Sequence, residues 1–356
     1  MHMLTGIFGL VLLATALADA IKTVVVARHA HNLPFVTRLF YRASWAPHAA
    51  VAGLIRSERR RENYLGLYGP ISLLLLLGLW ACTVIVAFAM LQWAAGLRVD
   101  GAGSSFANAA YFSAASFFTL GSGEPANLSS KYLMVLEAGT GFSFLGLVIG
   151  YLPVLYQSFS SRELRILLLD ARAGSPPSAA ELLLRRGSDP EKLEQRLADW
   201  EEWALDLLQT HLSYPMLAYY RSLHANQSWL AALTVVTDVS ALVAVSVDGD
   251  LRRQAQFTFA AGRHALVHTA SVFHRRPCRP QTERLPAADF SRLCNCLSTG
   301  RAPVQLDCVA AAELAKLREM YEPYANALGA YFLMALPPWL PSGAAFENWQ
   351  ITTWDP

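Results

Sequence analysis

Residues Ser113-Ala-Ala-Ser-Phe-Phe-Thr-Leu-Gly-Ser-Gly-Glu124 decide the fold. The stretch is small and apolar as far as Phe118, then breaks into Thr119-Leu120-Gly121-Ser122-Gly123. Apolar segments flank it, 71–97 before and 132–156 after, each long enough for a span of ~20 helical residues. A half-helix ending in Thr-x-Gly-x-Gly between two spans has the layout of a re-entrant loop. Such a loop keeps non-helical backbone at membrane depth only where it lines water instead of lipid.

Composition agrees with a membrane protein. Only 16% of the 356 residues are charged and 54% are hydrophobic, against ~25% charged in soluble domains. The formal net charge of +2 gives no footprint for nucleic acid. Five cysteines, at 82, 278, 294, 296 and 308, are an odd number, and Cys82 lies in an apolar span, so no disulfide scaffold is expected.

Residues 1–27 read as a first transmembrane helix. A cleaved signal peptide is the rival, because Ala16-Leu17-Ala18 resembles a processing site, but Met1-His2-Met3 carries no Lys or Arg. The following basic stretch, 28–69, holds seven arginines (28, 38, 42, 56, 59, 60 and 61) against Glu58 and Glu62. The positive-inside rule places it in the cytoplasm, so the N-terminus is outside and the loop after the second span enters from outside. Asp19 and Lys22 sit near the cytoplasmic end of the first helix, with Lys22 snorkelling to the headgroups.

The expected pore module covers 70–156: an outer helix 70–97, a pore helix 106–118, a filter 119–123 and an inner helix 131–156. Carbonyl rings that replace an ion's hydration shell need positive φ at alternate residues, which glycine adopts without steric cost. Gly121 and Gly123 meet that need, Thr119 adds a hydroxyl, and the pore helix turns its partly negative C-terminus toward the ion path. One chain carries one such loop, so a ring of four demands a homotetramer.

Residues 70–156 resemble the two-helix-plus-pore-loop module of potassium channels. Thr119-Leu120-Gly121-Ser122-Gly123-Glu124 is similar to the family's Thr-Val-Gly-Tyr-Gly-Asp, and Tyr111-Phe112 resemble the aromatic pair that supports the filter. The resemblance implies ion-binding residues Thr119, Leu120, Gly121, Ser122 and Gly123, with Glu124 at the pore mouth and K+ as permeant ion. It also implies a pore-lining helix with glycine hinges, Gly139 or Gly141, while Pro153, which removes a helix hydrogen bond, reads as a kink point near the cytoplasmic gate. Ser122 in place of tyrosine and Leu120 in place of valine leave potassium-selective and non-selective conduction both open. For Gly139, Gly141, Gly146 and Gly150, close helix packing competes with the hinge role. Glu137 either braces the filter or sits at the interface.

Residues 157–356 read as a cytoplasmic α-helical domain. Asp189-Pro190-Glu191 opens an amphipathic helix with an N-cap, Pro at the first position and acids in the first turn. The apolar run 229–247 has Asp238 at its centre, costing ~2.5–3.5 kcal/mol on insertion scales, so it reads as a buried bundle helix and not a fourth span. His264, His268 and His274 near the cysteines suggest zinc, but Cys294-x-Cys296 lacks the usual spacing, and no metal or other cofactor is expected. A ligand or protein partner at this domain stays open, and the residues do not identify one. Together these readings give an all-α, multi-pass cell-membrane protein with three transmembrane helices and a cytoplasmic C-terminus. It is expected to act as a tetrameric cation channel in contact with lipid, and not as an enzyme. A membrane-anchored helical scaffold or sensor with a vestigial loop is the alternative.

Overall fold

The computed structural model describes residues 2–24, 34–99, 105–121, 123–186, 189–223, 226–279, 283–300, 302, 304, 306 and 308–341. Among them it is all helical: α1 His2–Val24, α2 Phe35–Leu54, α3 Glu58–Ala94, α4 Phe106–Phe117, α5 Leu128–Ala173, α6 Ala179–Arg186, α7 Pro190–Ser213, a 3-10 turn Pro215–Tyr219, α8 Trp229–Ser246, α9 Asp250–Val272, α10 Ala287–Thr299 and α11 Cys308–Phe332. Four of these, α1, α3, α5 and α8, are long and apolar enough to cross a membrane by length and composition. The chain divides into two units, Met1–Val51 with Leu67–Gln157 and Ala52–Gly66 with Ser158–Pro356.

In the first unit α1 runs antiparallel to α3. Gly6 packs on Ala94, and a Cβ on Gly9 would stand 2.9 Å from the Ala87 carbonyl oxygen, so small residues set this close approach. Further along, Ala16 joins Val84, Phe88 and Phe117 in one apolar cluster. Asp19 is buried; it accepts from Val36 N (3.0 Å), Thr37 N (3.2 Å), Thr37 Oγ1 (2.6 Å) and Trp80 Nε1 (3.1 Å). Two of those donors are the free N–H groups of the first turn of α2, so a carboxylate from α1 caps α2 through space. The stretch expected as a basic linker therefore contains a helix. Thr37, Tyr41, Trp45 and Ala52 fall on one face at helical spacing and are buried, while Arg38 and Arg42 are exposed.

Two of the membrane-length helices, α3 and α5, also exceed their expected limits. α3 begins at Glu58 instead of 70, and α5 runs from Leu128 through Pro153 to Ala173 without a break.

In the second unit α8 is the core. Every residue from 229 to 244 is buried, with α9, α11 and α6 packed around it. Thr234, Thr237 and Ser240 donate to the carbonyls four residues back at 2.7, 2.8 and 2.6 Å, which satisfies their hydroxyls internally. Asp238 receives Arg284 Nη2 at 2.6 Å and Nη1 at 3.2 Å, and Tyr321 OH donates to it as well. Arg284 also donates to Glu322 (3.0 Å) and the Pro337 carbonyl (2.9 Å), and Arg318 donates to Glu322 at 3.1 Å. The two guanidiniums lie 5.6 Å from the ring of buried Trp339. Two acids and two arginines thus balance in the core and fasten 337–339 to α8 and α11. Burial opposes the charge on Arg284, but Asp238 outweighs it and holds the guanidinium above its usual range.

The aromatic junction after α7 is a 3-10 turn whose five residues are all buried. Arg162 donates to the carbonyls of Leu217 (2.8 Å) and Tyr220 (3.0 Å), while Glu163 accepts from Ser222 Oγ and Leu223 N at 3.3 Å. Arg221 reaches the Phe332 carbonyl at 2.5 Å and Glu62 at 3.4 Å. The 217–223 junction is therefore held by α5, by the start of α3 and by the end of α11. His211 lies fully buried beside it, 4.6 Å ring to ring from Trp229. Burial, and then the Arg162 guanidinium, hold the His211 imidazole well below its ordinary value of 6.5.

Two outcomes follow for stability. Removing one member of the buried pair, by Asp238→Ala or Arg284→Ala, is expected to cost about 3–5 kcal/mol, whereas Asp238→Leu with Arg284→Met costs clearly less than the sum; denaturant unfolding of the four proteins measures this. For His211 the folded value is depressed, so its stability is complete above the unfolded value of about 6.5 and is lost as pH falls below it. The unfolding midpoint of the wild type is expected to drop relative to that of His211→Phe between about pH 7.5 and about pH 5.5.

Candidate functional site

α4 begins with Ser105, whose side chain accepts from Asn108 N at 3.2 Å, and ends after twelve residues. Ala109, Phe112, Ser113, Ala115, Ser116 and Phe117 are buried, whereas Phe106, Ala107, Asn108 and Tyr111 are exposed, so the helix buries one face and its last turn within its own unit. Phe112 packs with Leu97 and Ala109, backed by Trp93, Val99 and Met134. Its neighbour Tyr111 instead points outward and is 73% exposed. The aromatic pair expected to act together therefore divides, one ring buried and one exposed on the surface.

Two successive turns of α5 hold two successive turns of α4. Glu137 is fully buried and hydrogen-bonded to Ser113 Oγ, which is also 2.7 Å from the carbonyl oxygen of Ile85 on α3. One turn further, Gly141 lies under the end of α4: a Cβ there would stand 2.0 Å from the Phe117 carbonyl oxygen. No side chain fits that gap, so Gly141 serves close packing here. Gly139, Gly146 and Gly150 have no atom within 4 Å of an added Cβ. Pro153 is exposed within the continuous α5.

The chain leaves α4 through a left-handed cap. Thr119 N donates to the Ser116 carbonyl (3.0 Å) and Leu120 N to the Ala115 carbonyl (2.8 Å), the paired bonds of a Schellman motif. Thr119 has φ +55°, a conformation that strains a β-branched residue. Gly121 and Gly123 follow at φ +76° and +91°. Positive φ thus recurs at 119, 121 and 123; Ser122 lies outside the described residues. Phe118, Thr119, Leu120, Gly121, Gly123 and Glu124 are all exposed, with Leu120 at 76%. Glu124 pairs with Lys131 at 2.5 Å, and that hydrogen bond lowers its carboxyl from the usual range.

The far side of the turn is tied down by polar contacts between the ends of α3 and the start of α5. Asn127 Nδ2 donates to the Ala95 carbonyl (2.8 Å), Ala126 N to Arg98 (3.0 Å) and Gln92 Nε2 to Ser130 (3.3 Å). A partly buried helix, a fixed return and an exposed turn between them leave 118–121 presented outward, and Phe142, Leu145 and Ile149 of α5 are exposed apolar side chains as well. Sequence reasoning did not pair Ser113 with Glu137; both are polar residues inside apolar runs, which is the signal that marks them. Among the described residues no group of three or more His, Cys, Asp and Glu stands close enough to hold a metal ion.

Gly141→Ala is expected to destabilise the protein by about 1–3 kcal/mol through overpacking against Phe117. Gly146→Ala and Gly150→Ala, open in the single chain, are expected to stay within about 1 kcal/mol of the wild type, as read by thermal unfolding in detergent.

Comparison with protein-family models, curated proteins and solved structures finds no match to this chain.

Proposed function

We propose that the chain is a homotetrameric cation channel with passive flux, most suited to potassium, in which residues 119–123 of four copies form the ion path. The observation that carries this reading is the recurrence of positive φ at Thr119, Gly121 and Gly123, directly after a helix whose last turns are buried along one face. Residues of alternating hand turn successive carbonyl oxygens to the same side of the strand, the arrangement that replaces a hydration shell. α4 adds the partial negative charge of its C-terminus. Exposed Tyr111, Phe142 and Ile149, with open Gly139, Gly146 and Gly150, supply apolar surface for neighbouring copies or lipid.

In this reading α1, α3 and α5 span the cell membrane and the second unit is cytoplasmic, as the seven arginines of 28–69 require. α8 belongs to the cytoplasmic bundle, since the partners of Asp238 lie in its own unit and nothing of α8 between 229 and 244 is left to face lipid. Transport of this kind involves no covalent step.

One observation favours a second reading, a membrane-anchored scaffold whose turn is only a corner. α9 and α11 close with the same left-handed, non-glycine cap, at His274 and Leu333. The cap at Thr119 is therefore shared by helix ends of the other unit.

Flux from liposomes separates the two. With purified protein and a potassium gradient, the channel reading expects conduction that disappears in Gly121→Ala, where an alanine must adopt φ +76°, while helicity and oligomer size persist. Unchanged leakage in Gly121→Ala supports the scaffold. Reversal potential with potassium and sodium on opposite sides then reports ion preference.

A further inference from the structure

We infer that Glu137 is held as a neutral carboxylic acid whose proton ties α5 to α4, making it the positioning residue behind the exposed turn. The inference deepens the channel reading above, though its geometry stands apart from that reading.

Proton counting leads to it. The Ile85 carbonyl can only accept, and a serine hydroxyl carries one proton. Ser113 Oγ stands within hydrogen-bond distance of both the Ile85 oxygen and Glu137 Oε1. With an ionised Glu137 that one proton serves only one of the two contacts: given to Ile85 it leaves lone pairs facing the carboxylate, and given to Glu137 it leaves them facing the Ile85 oxygen. A protonated Glu137 completes the chain instead: Glu137 donates to Ser113, and Ser113 donates to Ile85. The second oxygen of Glu137 is buried without a hydrogen-bond partner among the described residues. That suits the carbonyl oxygen of an acid far better than half of an anion. Among the described residues no cation is paired with the group: α3 presents the Ile85 carbonyl, α4 presents Ser113, and Lys131 of α5 is paired with Glu124.

The location gives the proton a task. Ser113 lies one turn before the end of α4, and Gly141, one turn after Glu137, receives the Phe117 carbonyl at that end. The acid therefore holds α5 against α4 so that Gly141 meets the helix terminus from which Thr119 and Gly121 depart. An amide in place of the acid keeps the donor; an alkyl group removes it.

The test uses the full chain in liposomes. An infrared difference spectrum between wild type and Glu137→Gln at neutral pH is expected to contain a protonated-carboxyl C=O band, displaced in Ser113→Ala. Absence of that band overturns the inference, whether or not the wild type conducts. In flux measurements Glu137→Gln is expected to conduct like the wild type and Glu137→Leu to lose conduction. Equal loss in both overturns the positioning role. A band without wild-type flux sustains the hydrogen-bonded acid and removes the channel reading instead.

Discussion

A polar group in apolar surroundings has no water to turn to, so each one must find its partner inside the protein. That constraint shapes the end of α4 more than any other part of the molecule. The last carbonyls of this helix lack intrahelical donors. The left-handed cap returns the amides of Phe118, Thr119 and Leu120 to Ala114, Ser116 and Ala115. The Phe117 carbonyl is left against Gly141, and Ser113 is spoken for by α3 and α5. With these groups held, the residues after Phe118 are free to leave the helix as an exposed turn.

The same constraint explains the acids that looked out of place in apolar helices. Asp19 is surrounded by four donor groups, two of them backbone amides of another helix. Asp238 sits within a balanced cluster of charges and a tyrosine hydroxyl. Such clusters add little net stability over a well-packed apolar core, yet removing one member leaves the others stranded. Each acid therefore specifies which partner element must lie beside it: α2 for Asp19, the 284 segment and α11 for Asp238.

Much of the helical layout was legible. The long apolar runs, the break at 119–123, the Asp189 cap and the buried run around Asp238 all rest on local composition and period, which a chain displays without knowing its neighbours. α2 was not legible as a helix. Its buried face is a sparse stripe of Thr37, Tyr41, Trp45 and Ala52 among arginines, a proline and a histidine, and its first turn is capped by a residue from α1. Long-range capping leaves no trace at the site it serves.

The glycines of α5 make the same division within one helix. Four candidates stand in the sequence, at 139, 141, 146 and 150, each open to packing or to bending. Contact with the Phe117 carbonyl singles out Gly141, because only a helix lacking Cβ at that point lets another backbone come so close. Composition and periodicity by themselves determined that the chain is helical, apolar enough for a membrane, and broken at Thr-x-Gly-x-Gly. Tertiary structure alone decided which buried polar groups face one another, since a hydrogen bond depends on where two distant segments meet and neither segment encodes the position of the other.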